Sequence, residues 1–373
     1  MTRIAIDTSS FPVGGQERQV AQLARGLALG GHYVLLLINK RGEAFREILG
    51  HPGIEVVELQ RMSRYDARVL WDIVHRLRGF RAQVVLCVGY NATFWGRIAA
   101  LALGIPVLTA EHESLRAHRR RDIAFTNWVL GPLTRAVVAC ASGQKPYLVA
   151  ERNPAEKIVV IRNGVDPVQF RPDKDHGALM RRSWGVPDNA TLLGLIAAHR
   201  AEKRHDRFIR LVETCSAEGA DVYGVMVGGG ELLERNRRVA AASPAAERLV
   251  VAGPASDMTS VYSACDIVVL TSDGIEVFPL SFLEAQACGV PVVGFDLSGV
   301  GETMRDGVTG YLVAGDDEAE MVRRVLDLSF DPALRQSMGA AGRAWVSENL
   351  TVDSMVAAYE ELLEHVAAAR GLA

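Results

Sequence analysis

The sequence predicts an α/β protein made of two Rossmann-like domains, each a parallel sheet covered by helices. Three observations carry this. Apolar strands of four to six residues alternate with amphipathic helices along nearly the whole chain, the pattern of a parallel sheet buried on both faces. The alternation stops once, between Asn163 and Pro172, and then starts over. A length of 373 residues suits two domains at roughly 100–200 residues each.

The first domain is placed at residues 1–165. Ile4–Ile6 is a strand, followed by a turn-rich loop to Gly14-Gly15 and a helix marked by Val20, Leu23, Ala24 and Leu27. Strands follow at Tyr33–Ile38, Ile54–Leu59, Val84–Val88, Pro106–Thr109, Ala136–Cys140 and Lys157–Ile161. Helices are expected around Val69–Leu77, Ala92–Leu103 and Ile123–Leu133, and from Ser142. The segment to Pro172 has no periodicity and reads as a linker. In the second domain, residues 166–350, strands are expected at Thr191–Ile196, Asp221–Val227, Arg248–Val251, Ile267–Leu270, Val292–Phe295 and Tyr311–Val313. Helices lie between them, and two more close the chain near Pro332–Asn349 and Val352–Ala369. Ligands of open α/β sheets bind beyond the carboxyl ends of the strands. Two such domains therefore predict one cleft with loops from both sides.

Composition excludes several classes. No apolar run reaches the roughly 18 residues of a membrane helix, and Met1–Asp7 enters a strand directly. The expected location is cytoplasmic, either free or peripheral at the inner face of the membrane. Five scattered cysteines without a C-x-x-C pair read as buried free thiols. Metal-ligand spacing is missing, so no metal is expected. Charge is uneven: 22 Lys and Arg against 13 Asp and Glu up to Val165, then 19 against 31. The basic half, with Arg116, His118, Arg119, Arg120 and Arg121 ahead of Phe125 and Trp128, leaves open an anionic acceptor, an anionic membrane surface or a merely solvated loop. Without a recognisable binding module, no nucleic-acid partner is expected.

The chemistry gathers in loops that follow strands. The main stretch runs from Ser272 to Pro291. Glu276 stands in its loop. Pro279 suits the first helical position, Glu284 comes eight residues after Glu276, and Gly289 reads as the helix C-cap. A helix N-terminus attracts anions, and carboxylates accept hydrogen bonds from hydroxyls. Phosphate together with hydroxyls suggests a sugar nucleotide. Arg200 and Lys203, at the preceding strand-to-helix junction, are suited to clamp a diphosphate. Gly228-Gly229-Gly230 and Gly253-Pro254 lie in equivalent places, where glycine serves either a sharp turn or close approach to a ligand. Gly14-Gly15 carries the same two readings. No G-x-G-x-x-G follows the first strand, which disfavours a nicotinamide or flavin enzyme. His112, at a strand's carboxyl end, is either a hydrogen-bonding partner for sugar or acceptor, or a satisfied surface histidine.

Together these positions resemble the retaining glycosyltransferases of family 4, which have the GT-B fold. The resemblance spans nearly the whole chain. It rests on Gly14-Gly15, His112, Asn163-Gly164-Val165-Asp166, Arg200 with Lys203, Gly228 to Glu231, and above all Glu276 and Glu284 around Phe278-Pro279-Leu280 with Ala287-Cys288-Gly289-Val290-Pro291 after them.

The resemblance implies that a hexose or N-acetylhexosamine moves, with retention and without a metal or cofactor, from a nucleotide-sugar donor to a glycan, lipid-linked or natural-product acceptor. Arg200 and Lys203 would neutralise the departing diphosphate. Glu276 would meet the sugar hydroxyls, helped by backbone N–H groups from Val277, Phe278 and Leu280 beside Pro279. Glu284 would hold the ribose, Gly15 the phosphates and His112 the transferred sugar, with Gly14, Gly229 and Gly253 also on the donor side. It also implies that the last helix, in residues 351–373, crosses back to the N-terminal domain. Where relatives often have Glu-Gly-Phe, this chain has Glu276-Val277-Phe278, so the added side chain is expected to narrow the sugar pocket. A UDP-sugar is the favoured donor and GDP-mannose the rival. An epimerase, a phosphorylase and a catalytically inactive binding protein of the same fold are the other readings.

Overall fold

The computed structural model describes residues 1–8, 14–39, 46–59, 66–112, 120–274 and 276–369. The chain forms two units: Met1–Gly164 together with the chain from Val352 onward, and Val165–Thr351.

The first unit holds a seven-stranded sheet of β1 (Arg3–Thr8), β2 (Tyr33–Ile38), β3 (Ile54–Glu58), β4 (Val84–Val88), β5 (Val107–Glu111), β6 (Ala136–Ala139) and β7 (Ile158–Val160). The order is β3-β2-β1-β4-β5-β6-β7, with all pairs parallel. Parallel strands need crossovers, and helices supply them. These are α1 (Gly15–Leu29), α2 (Arg46–Leu49), α3 (Arg68–Phe80), α4 (Tyr90–Ala102), α5 (Arg120–Leu130) and α6 (Lys145–Ala150). Successive residues of a strand face opposite sides, so Ile4 and Ile6 enter the core under α1 while Ala5 joins the one under α3 and α4.

The second unit repeats the plan with β8 (Thr191–Ile196), β9 (Val222–Val227), β10 (Leu249–Gly253), β11 (Ile267–Leu270), β12 (Val292–Phe295) and β13 (Gly310–Val313), in the order β10-β9-β8-β11-β12-β13. Its helices are α7 (Lys174–Ser183), α8 (His205–Ala217), α9 (Leu233–Ala241), α10 (Met258–Ala264), α11 (Leu280–Ala287), α12 (Glu318–Phe330) and α13 (Pro332–Asn349). Aspartates cap α7, α10, α12 and α13 by accepting a backbone N–H three residues on, each worth about 1 kcal/mol.

Two segments near the start of the second unit differ from the sequence expectation. The stretch after Asn163 is packed, not a bare linker: Phe170 is fully buried, its ring edge-on to Tyr262 at 6.0 Å. Helix α7 was not expected at all, because its apolar pattern is weak. It is held instead by close backbone approach, since a Cβ on Gly177 would strike the backbone of Ser263.

The last helix, α14 (Val352–Ala368), belongs to the first unit. Met355, Val356, Tyr359, Leu363 and Val366 form one stripe within the first unit's core. Gly26 of α1 leaves the space that Val356 fills. Glu360 closes the contact through His32, whose Nε2 lies 2.7 Å from its carboxylate while its Nδ1 accepts from the Thr2 N–H.

Candidate active site

The strand order reverses direction between β8 and β11 in the second unit. Such a switch point opens a crevice at the carboxyl ends, because the chains leaving its two strands go opposite ways. The loop after β8 carries Arg200 and Lys203, and the loop after β11 carries Glu276. Sheet pairing of Ile267 with Leu193 and of Val268 with Gly194 brings these loops side by side.

The two loops are stitched together. The Asp273 N–H donates to the Glu202 carbonyl at 2.9 Å, and the Thr271 hydroxyl donates to the Lys203 carbonyl at 3.0 Å. Lys203 Nζ donates to both oxygens of Glu276, at 2.8 and 2.7 Å. The side chains are 20 % and 12 % exposed, so the pair sits at the rim with limited screening by water. Arg200 starts the short turn Ala201–Lys203 and is exposed. The Gly299 N–H binds the Glu276 carbonyl at 3.1 Å, which ties the loop after β12 into the same group.

Arg204, which the sequence reading passed over, fastens this arrangement. Its backbone is left-handed, at φ +48°, a conformation an arginine adopts only when its surroundings impose it. The guanidinium donates to Asp206 at 3.0 and 2.9 Å and to Asp273 at 2.8 Å. Hydrogen bonds to Asp206 and then Asp273 raise its pKa further. The nearest signal in the sequence was its place between Lys203 and His205. Beneath the loop, His199 and His205 stack at 4.0 Å and are both buried. Burial holds both below the usual histidine range, His205 at about 3, so the floor of the loop is uncharged at neutral pH.

The triple glycine after β9 is largely a packing requirement. Gly228 and Gly230 have φ of +151° and +146°, and a Cβ on either would run into the backbone of residues 197–199. Gly229 differs: its nearest neighbour would be the Pro254 Cβ at 4.0 Å. Gly253, at φ +76°, accepts the Gly228 N–H at its carbonyl.

Helix α11 begins one residue later than expected. Pro279 is its N-cap, with ψ 108°, and Leu280 is the first helical residue. The shift follows from hydrogen bonding: the Phe282 N–H already turns back to the Pro279 carbonyl. Gly289 lies just past the helix at φ +77°. Glu284 is buried on the helix, as are the side chains of Val277 and Phe278 in the preceding loop.

In the first unit, Gly14 is the N-cap of α1 and Gly15 its first residue. Gly14 is extended, and a Cβ there would meet only the movable Glu17 carboxylate, so neither φ nor backbone crowding demands glycine. His112 directly follows β5. Its Nδ1 lies 3.2 Å from the Cys140 sulfur, and burial lowers its pKa to about 4. Arg116, His118 and Arg119 of the basic run lie outside the described residues, as does the side chain of Arg120. Helix α5 beyond them exposes Phe125 and Trp128, at 65 % and 62 %, with Val129.

Two parallel units with Rossmann strand order, the second with cations and carboxylates at its switch point, place the chain among the doubly wound α/β proteins. The family described as glycosyl transferases group 1 matches residues 178–345, and the one described as Glycosyltransferase Family 4 matches residues 13–169. The chain is 30 % identical over 296 residues to a GDP-mannose-dependent alpha-(1-6)-phosphatidylinositol monomannoside mannosyltransferase of Mycolicibacterium smegmatis, covering 73 % of this chain and 76 % of that one. It is 31 % identical over 245 residues to a D-inositol 3-phosphate glycosyltransferase of Stackebrandtia nassauensis, covering 61 % of this chain and 54 % of the relative. Among solved structures, Anabaena HepE in complex with UDP and glucose shares the fold, with a TM-score of 0.86 at 20 % identity over 98 % of this chain and 100 % of that one. Sucrose-phosphate synthase from Thermosynechococcus elongatus does so at 0.85 and 19 %, over 99 % and 100 %. The chain belongs to glycosyltransferase family 4, the group 1 glycosyl transferases, and is a transferase of the GT-B type.

Proposed function

We propose that the protein moves a hexose from a nucleoside diphosphate sugar to a hydroxyl, with retention of configuration and without a metal. The observation that carries this reading is the Lys203–Glu276 pair at the switch point of the second unit. An ammonium has three N–H groups. Glu276 takes two, and the third is assigned to an oxygen of the departing diphosphate, with Arg200 as the second cation. Positive charge placed before the bond breaks stabilises the charge that develops on the leaving group. Glu276, held by Lys203, receives the sugar hydroxyls. Glu284 is assigned to the ribose, the backbone of Val277 to Leu280 to donor oxygens, Gly229 and Gly253 to the nucleotide, Gly15 to phosphate and His112 to the transferred sugar.

GDP-mannose is the donor we favour, because the mycolicibacterial relative, similar over three quarters of both chains, is named as dependent on it. A UDP-hexose is the second reading, supported by the sequence expectation and by HepE, which shares the fold and is described with UDP and glucose. Thermal unfolding against GDP, UDP, ADP and dTDP, each with its sugars and with EDTA present, separates them. A ligand at 100 times its Kd adds about 2.7 kcal/mol. GDP and GDP-mannose are expected to raise Tm while the others do not. A response to UDP alone would establish the second donor, and no response to any nucleotide, or one that needs a divalent ion, would overturn the reading.

The acceptor we infer is anionic and membrane-borne, with the enzyme peripheral on the membrane. Among the described residues no helix is long and apolar enough to cross a membrane. Helix α5 instead presents Phe125, Trp128 and Val129 to solvent, and in the sequence these follow the basic run that ends at Arg121. Aromatic rings favour the membrane interface, and arginines favour anionic headgroups. Sedimentation with vesicles containing anionic lipid is expected to bring the protein down, and Phe125→Ser/Trp128→Ser is expected to leave it in solution. Equal behaviour of the two proteins would remove α5 from this role.

A further inference from the structure

The pairing of β5 with β6 places two residues of the first unit together in a way the transfer reaction has not yet used. Glu111 pairs with Ala139 at the last step of the ladder. The next residues on each strand are His112 and Cys140, so 28 positions of sequence collapse to one step of register. Their side chains meet with Sγ 3.2 Å from Nδ1. Gln144 fixes both strand ends: its amide accepts from the Cys140 N–H at 2.9 Å and donates to the Glu111 carbonyl at 3.0 Å.

We propose that Cys140 is a positioning residue for His112: its thiol donates to Nδ1 and so fixes the ring hydrogen on Nε2. This rests on the assignment of His112 to the transferred sugar, and it states which form of the ring serves there. Two observations support the direction of the bond. The S–H has the Glu111 carbonyl at 3.4 Å and Nδ1 at 3.2 Å as acceptors, and Nδ1 is the nearer. Sulfur itself accepts only weakly, so in its contact with the imidazole the thiol is the better donor. Burial raises the thiol and lowers the imidazole, so both are neutral and the contact is a hydrogen bond between neutral groups, not an ion pair. Nε2–H then offers a donor suited to a sugar or phosphate oxygen.

The test is a two-bond proton–nitrogen correlation on protein labelled with 15N-histidine at neutral pH, with the His112 signal assigned by its loss in His112→Gln. Wild type is expected to show the hydrogen on Nε2. Cys140→Ala is expected to give a mixture of tautomers and a kcat/KM lower by about tenfold, the scale of one hydrogen bond. Cys140→Ser is expected to restore both, because a hydroxyl donates as a thiol does. A hydrogen on Nδ1 in wild type, or an unchanged tautomer in Cys140→Ala, would overturn the proposal. A shifted tautomer with unchanged kcat/KM would leave the hydrogen bond in place and overturn the role of His112 at the sugar, so the two readings fail separately.

Discussion

Lys203→Ala is expected to lower kcat/KM by two or more orders of magnitude, and Glu276→Ala by as much. One donor placed where charge develops is worth about 2.7–4 kcal/mol in the transition state, a factor of 10² to 10³. The structure adds a consequence of their pairing. Nζ lies 2.7 Å from one carboxylate oxygen and 2.8 Å from the other, so each single change also leaves a partly buried charge without its partner. That costs roughly 1–3 kcal/mol of stability and lowers Tm in both variants. The double variant, in which no stranded charge remains, is expected to regain part of that Tm but none of the activity. Steady-state kinetics and thermal unfolding of the wild type and the three variants form a double-mutant cycle. Full activity in a single variant would remove the residue it lacks from the reaction, and additive Tm losses would mean that the pair does not act as a unit.

Gly228→Ala is expected to have a large effect on the fold. At φ +151° an L-residue is strained, and its Cβ would overlap the Ala197 carbonyl. Strain of about 1–3 kcal/mol adds to that overlap, for a loss on the order of 3 kcal/mol or more. Gly229→Ala is the control. Its Cβ meets nothing closer than 4.0 Å, so stability is expected to stay within about 1 kcal/mol, while KM for the donor rises if the nucleotide lies against that glycine. Equal Tm losses in the two variants would mean that the glycines act together and not through their separate backbone geometry.

Much of this could be read from the residues. Strands such as Tyr33–Ile38 and Val84–Val88 are apolar throughout because both of their faces are covered. Glu276 and Glu284 stood out because carboxylates interrupt an otherwise apolar stretch. What escaped notice had no local signature. Helix α7 is seated by Gly177 against the backbone of Ser263 and by the ion pair of Arg181 with Asp266, both distant in the sequence. Arg204 looks like another surface cation until Asp206 and Asp273 are seen around it. Phe170 sits in a segment without periodicity, and its burial depends on a ring ninety-two positions further along the chain. The glycines of Gly228-Gly229-Gly230 are indistinguishable in sequence, yet two answer to packing and the middle one does not.

The class of fold and the kinds of chemistry present are legible residue by residue: two parallel α/β units, glycine-rich turns after strands, and cations and carboxylates among them. These follow from short continuous apolar runs, from a period of 3.6 residues and from side-chain chemistry, which are local properties. Which groups meet is a matter of how the strands assemble. Lys203 and Glu276 lie 73 positions apart, and they touch because β8 and β11 are neighbours at the reversal of strand order. His112 and Cys140 touch because β5 and β6 are neighbours in one register. Strand order and register are set by packing of whole faces, whose information is spread over the chain, and so the pairs they create leave no mark in any one stretch of it.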